Sequence, residues 1–97
     1  MAPQMMPAEC ATAIRAAEFR NQLSPQDAAS AYDDLLSLRV ALLPFHPFSQ
    51  RIWQLHQNVT PYDAWYVSIA ETYGLALVTL DRRLARAPGP RCDFIVP

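Results

Sequence analysis

The sequence has no lysine and only two glycines, Gly74 and Gly89, among its 97 residues. Loops that hold phosphate groups with successive main-chain N–H groups need several glycines at fixed spacing. The shortage of glycine therefore excludes the P-loop and the dinucleotide-binding fingerprint. A formal net charge of −1 gives the chain no general attraction to polyanions, so nucleic-acid binding would have to be local.

Cysteine is also scarce, and long apolar runs are absent. Cys10 and Cys92 lack the paired spacing of a zinc site, and both are expected to be small core residues. The longest apolar run is about one strand in length, far below the ~20 residues that cross a bilayer, so no membrane association is expected. With no secretory signal at the N-terminus, the cytoplasm is the expected location.

Helical and strand-like segments alternate along the chain, whose length suits a single domain covering residues 1–97. Met5 and Met6 lie in a short apolar segment, a candidate strand, that Pro7 would close. Apolar residues at helical spacing predict helices at 8–21, 25–38, 48–57, 61–73 and 82–87. Short apolar runs predict strands at 39–43, 75–80 and 92–96. This alternation predicts an α/β fold with a mainly parallel sheet, in which strand 75–80 is buried on both faces. The aromatic residues Phe48, Trp53, Trp65 and Tyr66 fit the core or a homodimer interface better than a surface on which nucleobases stack.

Two acidic residues border the most informative part of the chain. Thr60 is a favourable N-cap, Pro61 suits the first helical position, and Asp63 lies in the first turn, near the positive end of the helix dipole. Gly74 ends this helix, and Asp81 follows the next strand, at the edge where parallel sheets carry their sites. Each acid also has a purely structural interpretation, Asp63 in a capping box and Asp81 as the N-cap of the helix that starts at Arg82.

This stretch resembles the C-terminal half of a PIN domain of the VapC type, the toxin of bacterial toxin–antitoxin pairs. The matching pattern is a Thr-x-x-Asp-Ala helix start, a Gly turn, an apolar strand and Thr-x-Asp followed by basic residues. It is carried by Thr60, Asp63, Ala64, Ala70, Gly74, Thr79, Asp81, Arg82 and Arg83. Upstream, residues 2–9 and the helix after them resemble the family's second strand and the helix that bears Glu9, which extends the likeness to nearly the whole chain.

The resemblance implies a PIN-like three-layer fold and a metal-dependent endoribonuclease. Glu9, Asp63 and Asp81 would be the catalytic and metal-binding residues, because converging carboxylates favour a hard cation such as Mg²⁺ or Mn²⁺. Thr79 would orient a carboxylate or a water molecule from the second shell of ligands. The residues that could contact RNA phosphates are Arg82, Arg83 and Arg86.

The resemblance also implies what the chain works with and what it lacks. The expected partners are an RNA substrate, a cognate VapB-type antitoxin and a second copy in a homodimer. PIN domains carry a further strand and a first acidic residue ahead of the segment with which this chain starts, so an N-terminally truncated domain is expected. The alternative is therefore a catalytically impaired module that only binds antitoxin or dimerises.

Overall fold

A computed structural model describes residues 1–97 and contains short strands placed between helices. The elements in chain order are β1 (Ala2–Pro3), α1 (Met6–Phe19), α2 (Pro25–Ser37), β2 (Leu42–Leu43), a 3₁₀ turn (His46–Phe48), α3 (Ser49–Gln54), α4 (Pro61–Tyr73), β3 (Leu77–Val78), α5 (Arg82–Arg86) and β4 (Phe94–Ile95). The predicted α/β class is confirmed. The chain forms two compact units, one of residues Gln4–Leu42 and one of Met1–Pro3 with Leu43–Pro97. The single domain over 1–97 stays a prediction.

The smaller unit consists mainly of two consecutive helices, α1 and α2, that contact each other. The Ser24 Oγ accepts a hydrogen bond from the Asp27 N–H at 3.0 Å, and Pro25 takes the first helical position, as the sequence predicts. The start of α1 was placed wrongly at residue 8. The helix begins at Met6, and Pro7 lies in its first turn, where a missing N–H costs no hydrogen bond, rather than closing a strand.

The larger unit is built around α4, which contacts β1, α3 and β3. Val67 and Ala64 on this helix are fully buried. The Phe45 ring packs edge-on against Trp65, with the ring centroids 5.2 Å apart. The buried core cluster of this unit consists of Phe48, Ile52, Leu55, Val59, Ala64, Trp65, Val67, Ile69 and Leu84. The helix that carries Asp63 is thus the most firmly packed element of the unit.

The strands form two separate two-stranded sheets. β3 and β4 are parallel, with Leu77 opposite Phe94 and Val78 opposite Ile95, and α5 lies between them in the chain. β1 pairs with β2, whose Leu43 belongs to the same unit. The parallel pairing was predicted correctly at β3 and β4.

The predicted strands are too long, and burial of 75–80 on both faces is wrong. Only Leu77–Val78 is a strand there, and the exposed fractions of Leu75, Val78 and Leu80 are 45%, 61% and 82%. β3 also has β4 as its sole partner strand, so the pair does not form the interior of a larger parallel sheet, the setting in which strands are buried on both faces. The strand predicted at 39–43 is limited to Leu42–Leu43, and the one at 92–96 to Phe94–Ile95.

Candidate functional site

Asp63 is positioned by the N-terminus of α4. The Thr60 Oγ1 accepts a hydrogen bond from the Asp63 N–H at 3.3 Å, and the Thr60 carbonyl accepts one from the Ala64 N–H at 2.8 Å. Pro61 at the first helical position and Gly74, with a left-handed φ of 63°, define the two ends of the helix. Only the main chain of Asp63 takes part in the cap. Its half-buried carboxylate has no hydrogen-bond partner and is free to bind a ligand.

Asp81 lies just after β3 and is the N-cap of α5. Its Oδ1 accepts hydrogen bonds from the N–H groups of Arg83 at 2.9 Å and Leu84 at 3.3 Å. The structural interpretation of Asp81 therefore holds for this oxygen, while Oδ2 makes no hydrogen bond. The Thr79 Oγ1 accepts from the Asp81 N–H at 3.0 Å, so Thr79 fixes the main chain of Asp81 rather than its carboxylate.

Asp63 and Asp81 line one cavity of about 270 Å³, which we call the acidic cavity. The two acids come from different elements, since Asp63 lies on α4 and Asp81 follows β3. Its full lining consists of Asn58, Val59, Thr60, Asp63, Asp81, Arg83 and Leu84. The cavity thus has two acidic residues and one arginine, Arg83, in its lining, which is a combination suited to a cation and a phosphate together.

A second cavity of about 250 Å³ shares Asp63 and Leu84 with the acidic cavity. Tyr66 and Thr79 supply its other polar side chains. Tyr66 packs edge-on against Tyr62, and their hydroxyl oxygens are 3.4 Å apart. The sequence predicted Tyr66 in the core or in a homodimer interface, and the structure shows it half-buried at this site. The available signal was its spacing of three residues from Asp63, which puts both on one helix face.

Glu9 lies in the first turn of α1, in the smaller unit, and its side chain is exposed. Of the three predicted acidic residues, Asp63 and Asp81 therefore line one cavity, and Glu9 does not line it. No group of three or more His, Cys, Asp or Glu side chains is arranged to hold a metal ion. The three-acid site with Glu9 stays a prediction from the sequence.

Arg82 and Arg86, the other predicted RNA contacts, are exposed and line a different cavity, of about 330 Å³, with Ala85, Val96 and Pro97. The Arg86 Nε donates a hydrogen bond to the Arg82 carbonyl at 3.2 Å, so this guanidinium is partly occupied by its own helix. Only Arg83 of the three lies in the acidic cavity.

An ion pair that the sequence analysis did not find joins α3, α4 and the segment before β4. Glu71 accepts hydrogen bonds from Arg51 Nε at 2.7 Å, Arg51 Nη2 at 2.9 Å and the Arg91 N–H at 2.7 Å. The Arg51 hydrogen bonds hold the pKa of Glu71 below its usual value, and the same contact raises the pKa of Arg51. Arg51 also donates to the Gly89 carbonyl at 2.9 Å. We call these three residues, Arg51, Glu71 and Arg91, the Glu71 clamp.

The donor set of the acidic cavity fits two ligand positions of a hard divalent cation. Asp63 offers a carboxylate without hydrogen bonds, and Asp81 offers the oxygen that the cap does not use. Mg²⁺ is commonly held by one or two carboxylates, with water and substrate phosphate completing its coordination. The cavity therefore suits Mg²⁺ or Mn²⁺ better than a soft metal, because no cysteine or histidine lines it.

Comparison with known proteins identifies the family. The PIN domain family matches residues 4–90. The chain belongs to the PIN domain family. This PIN domain is 40% identical over 94 residues to Ribonuclease VapC1 of Mycobacterium tuberculosis, covering 96% of this chain and 71% of the relative. It is 39% identical over 93 residues to Ribonuclease VapC12 of the same species, covering 96% of this chain and 72% of the relative. It is 33% identical over 94 residues to Ribonuclease VapC9 of that species, covering 97% of this chain and 74% of the relative.

The family predicted from the Thr60, Asp63, Gly74 and Asp81 pattern is thus confirmed. The residues that carried the resemblance, 60–83, lie inside the matched range, and so does Glu9. No helix of this PIN domain has the length and apolar character needed to span a membrane.

Proposed function

We propose that this protein is a VapC-type endoribonuclease toxin that hydrolyses RNA phosphodiester bonds at the acidic cavity. The observation that carries the proposal is the placement of Asp63 and Asp81, from separate elements, in one cavity with Arg83. The similarity to three proteins named ribonucleases supports it. Glu9 is proposed as a third acid of the same site.

Each residue of the cavity has a distinct part in this proposal. The Asp63 and Asp81 carboxylates hold the cation, and Arg83 binds a phosphate oxygen of the RNA. Thr79 keeps the Asp81 main chain in place through its 3.0 Å hydrogen bond, so it acts as a positioning residue. Arg82 and Arg86 contact the RNA backbone farther from the scissile bond.

A bound Mg²⁺ or Mn²⁺ would supply positive charge that stabilises the phosphoryl transition state and makes a nearby water more acidic. The chain contributes what precedes that chemistry. The Thr60 cap fixes the main chain of Asp63 at the start of α4, and the α5 cap fixes the Asp81 carboxylate through its Oδ1, so the Asp81 side chain is already ordered when the cation binds.

The partners follow from the same proposal. The substrate is RNA, and a cognate VapB-type antitoxin is proposed to cover the acidic cavity and hold the enzyme inactive in the cytoplasm. A homodimer is supported by exposed apolar side chains along the β3–β4 pair, where the exposed fractions of Val78 and Ile95 are 61% and 52%. Exposed apolar residues beside an open strand edge favour association.

The test uses three charge-neutralising substitutions in helix first turns and caps. Asp63→Asn and Asp81→Asn remove a metal-binding carboxylate, and asparagine still caps a helix as well as aspartate does. Asp27→Asn is the matched control, because Ser24-Pro25-Gln26-Asp27 repeats the cap geometry of Thr60-Pro61-Tyr62-Asp63 outside the acidic cavity.

Cleavage of structured RNA is measured with Mg²⁺ or Mn²⁺ and with a chelator. Asp63→Asn and Asp81→Asn are expected to lose about 100-fold or more of the activity, in line with loss of a metal-based charge stabilisation. Asp27→Asn is expected to match the unmodified protein. Equal activity in all four proteins would remove the catalytic proposal.

A second candidate function is a non-catalytic module that binds antitoxin or dimerises. It is favoured by one observation, the lack of a three-residue metal-holding group. Titration calorimetry with Mn²⁺ separates the two functions. The nuclease proposal expects binding that Asp63→Asn abolishes, while the module expects no measurable heat with either protein.

A further inference from the structure

Trp53 and His56 form a flat aromatic stack at the surface of the larger unit. Their ring centroids are 3.8 Å apart, and the planes differ by 3°. The neighbours Ile52 and Leu55 are buried, whereas Trp53 is 65% exposed, so of the two places that the sequence predicted for it, the core and a homodimer interface, the structure excludes the core. The imidazole covers one face of the indole, so the rest of this large apolar ring is available to a ligand. We call this pair the Trp53–His56 stack.

Both ring nitrogens of His56 have hydrogen-bond partners that hold the imidazole in the stack. The His56 Nδ1 donates to the Trp53 carbonyl, and the His56 Nε2 lies 3.4 Å from the Gln57 amide nitrogen, which donates to it. These two bonds assign the proton to Nδ1, because a carbonyl oxygen can only accept. The buried Ile52 and Leu55 anchor the same segment in the core. Little side-chain entropy is therefore lost in the protein when a ligand stacks on Trp53.

The stack lies on the segment that leads into the acidic cavity. The chain turns at Leu55, whose carbonyl accepts from the N–H groups of Asn58 at 3.2 Å and Val59 at 3.0 Å. Asn58 and Val59 are already lining residues of that cavity. Asn58 is five positions after Trp53, which limits their Cα separation to ~18 Å even for an extended chain. One short RNA segment can therefore reach both.

We propose that the Trp53–His56 stack binds an unpaired nucleobase of the RNA substrate beside the acidic cavity. The proposal rests on the ribonuclease function proposed above and names how its substrate is held. Single-stranded RNA is recognised chiefly by stacking of splayed bases on aromatic side chains. With a net charge of −1, the chain has little general attraction for phosphate, so stacking has to provide a larger share of the affinity.

The first measurement follows intrinsic tryptophan fluorescence while unlabelled single-stranded RNA is added to the Asp63→Asn protein, which binds without cleaving. Trp65 is buried in the core cluster, so quenching by a stacked base reports on Trp53. Quenching is expected with Trp53 present and is expected to disappear in Trp53→Phe. An oligonucleotide with abasic positions is expected to quench much less, since it keeps the phosphates and lacks the bases.

The second measurement is the affinity for the same RNA by fluorescence anisotropy with a labelled strand. Trp53→Ala is expected to weaken binding by about tenfold, the usual consequence of losing one base–aromatic stack. Trp53→Phe is expected to recover part of the affinity, and His56→Ala to lose part of it. The matched control is Tyr73→Ala, which removes a 48% exposed aromatic ring that stacks on no other ring. It is expected to bind like the parent protein.

Two results would overturn the proposal. One is unchanged RNA affinity in Trp53→Ala, and the other is fluorescence quenching that survives in Trp53→Phe. A Trp53 that contacts only a protein partner would give the first result, together with no quenching by RNA in the parent protein, which would equally overturn the proposal. If RNA is cleaved with the same KM by Trp53→Ala and by the unmodified protein, the stacking site fails while the ribonuclease function stands. Trp53-dependent binding of RNA that is never cleaved would support the stacking site and refute the ribonuclease.

Discussion

Neutralising Glu71 tests whether the Glu71 clamp holds the larger unit together. Glu71→Gln keeps the size of the side chain but replaces one acceptor oxygen with an N–H₂ group that faces a donor. Three hydrogen bonds reach the native carboxylate, two from Arg51 and one from the Arg91 main chain, all between 2.7 and 2.9 Å. At least one of them is lost, and the others lose their charge assistance.

The size of the effect follows from these contacts. A hydrogen bond to a charged group contributes about 1.5–3 kcal/mol, and the side chains of Arg51 and Glu71 are 23% and 14% exposed, which screens the pair only in part. We expect the free energy of unfolding to fall by about 2 kcal/mol at neutral pH. For a chain of this size this corresponds to a decrease in Tm of roughly 8–16 °C.

The loss of stability in Glu71→Gln is expected to depend on pH. The clamp lowers the pKa of Glu71 in the folded state, so its stabilisation is complete above the ordinary glutamate value of ~4.3 and is lost as the pH falls through the lowered value. The gap in stability between the unmodified protein and Glu71→Gln should therefore be largest at about pH 7 and shrink towards pH 3.

Urea unfolding followed by circular dichroism at several pH values measures both quantities. Glu18→Gln is the matched control, since the Glu18 carboxylate has no hydrogen-bond partner, and a change within about 0.5 kcal/mol is expected. A gap of less than about 0.5 kcal/mol at neutral pH, or one that is the same at pH 7 and pH 3, would refute the assignment of the clamp.

Two further predictions concern the core cluster and the half-buried thiol of Cys92. Ile52→Ala removes a side chain that is 2% exposed and should lower the free energy of unfolding by about 2–4 kcal/mol in urea titrations; a loss below 1 kcal/mol would contradict its place in the core. Burial raises the pKa of Cys92, so alkylation followed by mass spectrometry should be slower than that of free cysteine at neutral pH and should accelerate above pH ~8.5. Modification at the rate of free cysteine would show that Cys92 is not shielded.

The local elements around the site were predictable because their signals are short-range. Thr60 and Ser24 accept the N–H three residues later, and Gly74 adopts the left-handed conformation that ends α4. Each depends on a few consecutive residues, so composition and spacing suffice. The parallel pairing of β3 with β4 followed from the alternation of elements along the chain.

Burial and side-chain partners were less accessible to sequence reasoning. The spacing of Trp53 left the core and a homodimer interface open, and the structure shows the side chain 65% exposed. The apolar run 75–80 predicted a strand buried on both faces, but Val78 and Leu80 are 61% and 82% exposed. Glu71 gave no signal at all, since its partners Arg51 and Arg91 are each 20 residues away.

The sequence alone determined the family, the helix caps and the identities of the acids, because these are properties of neighbouring residues and of a linear motif. The tertiary structure decided that Asp63 and Asp81 line the same cavity, that Arg83 also lines it, and that Trp53 is exposed. These features depend on contacts between residues that are far apart in the sequence. They depend on how α3, α4 and the β3–α5–β4 segment pack against one another, which no local pattern specifies.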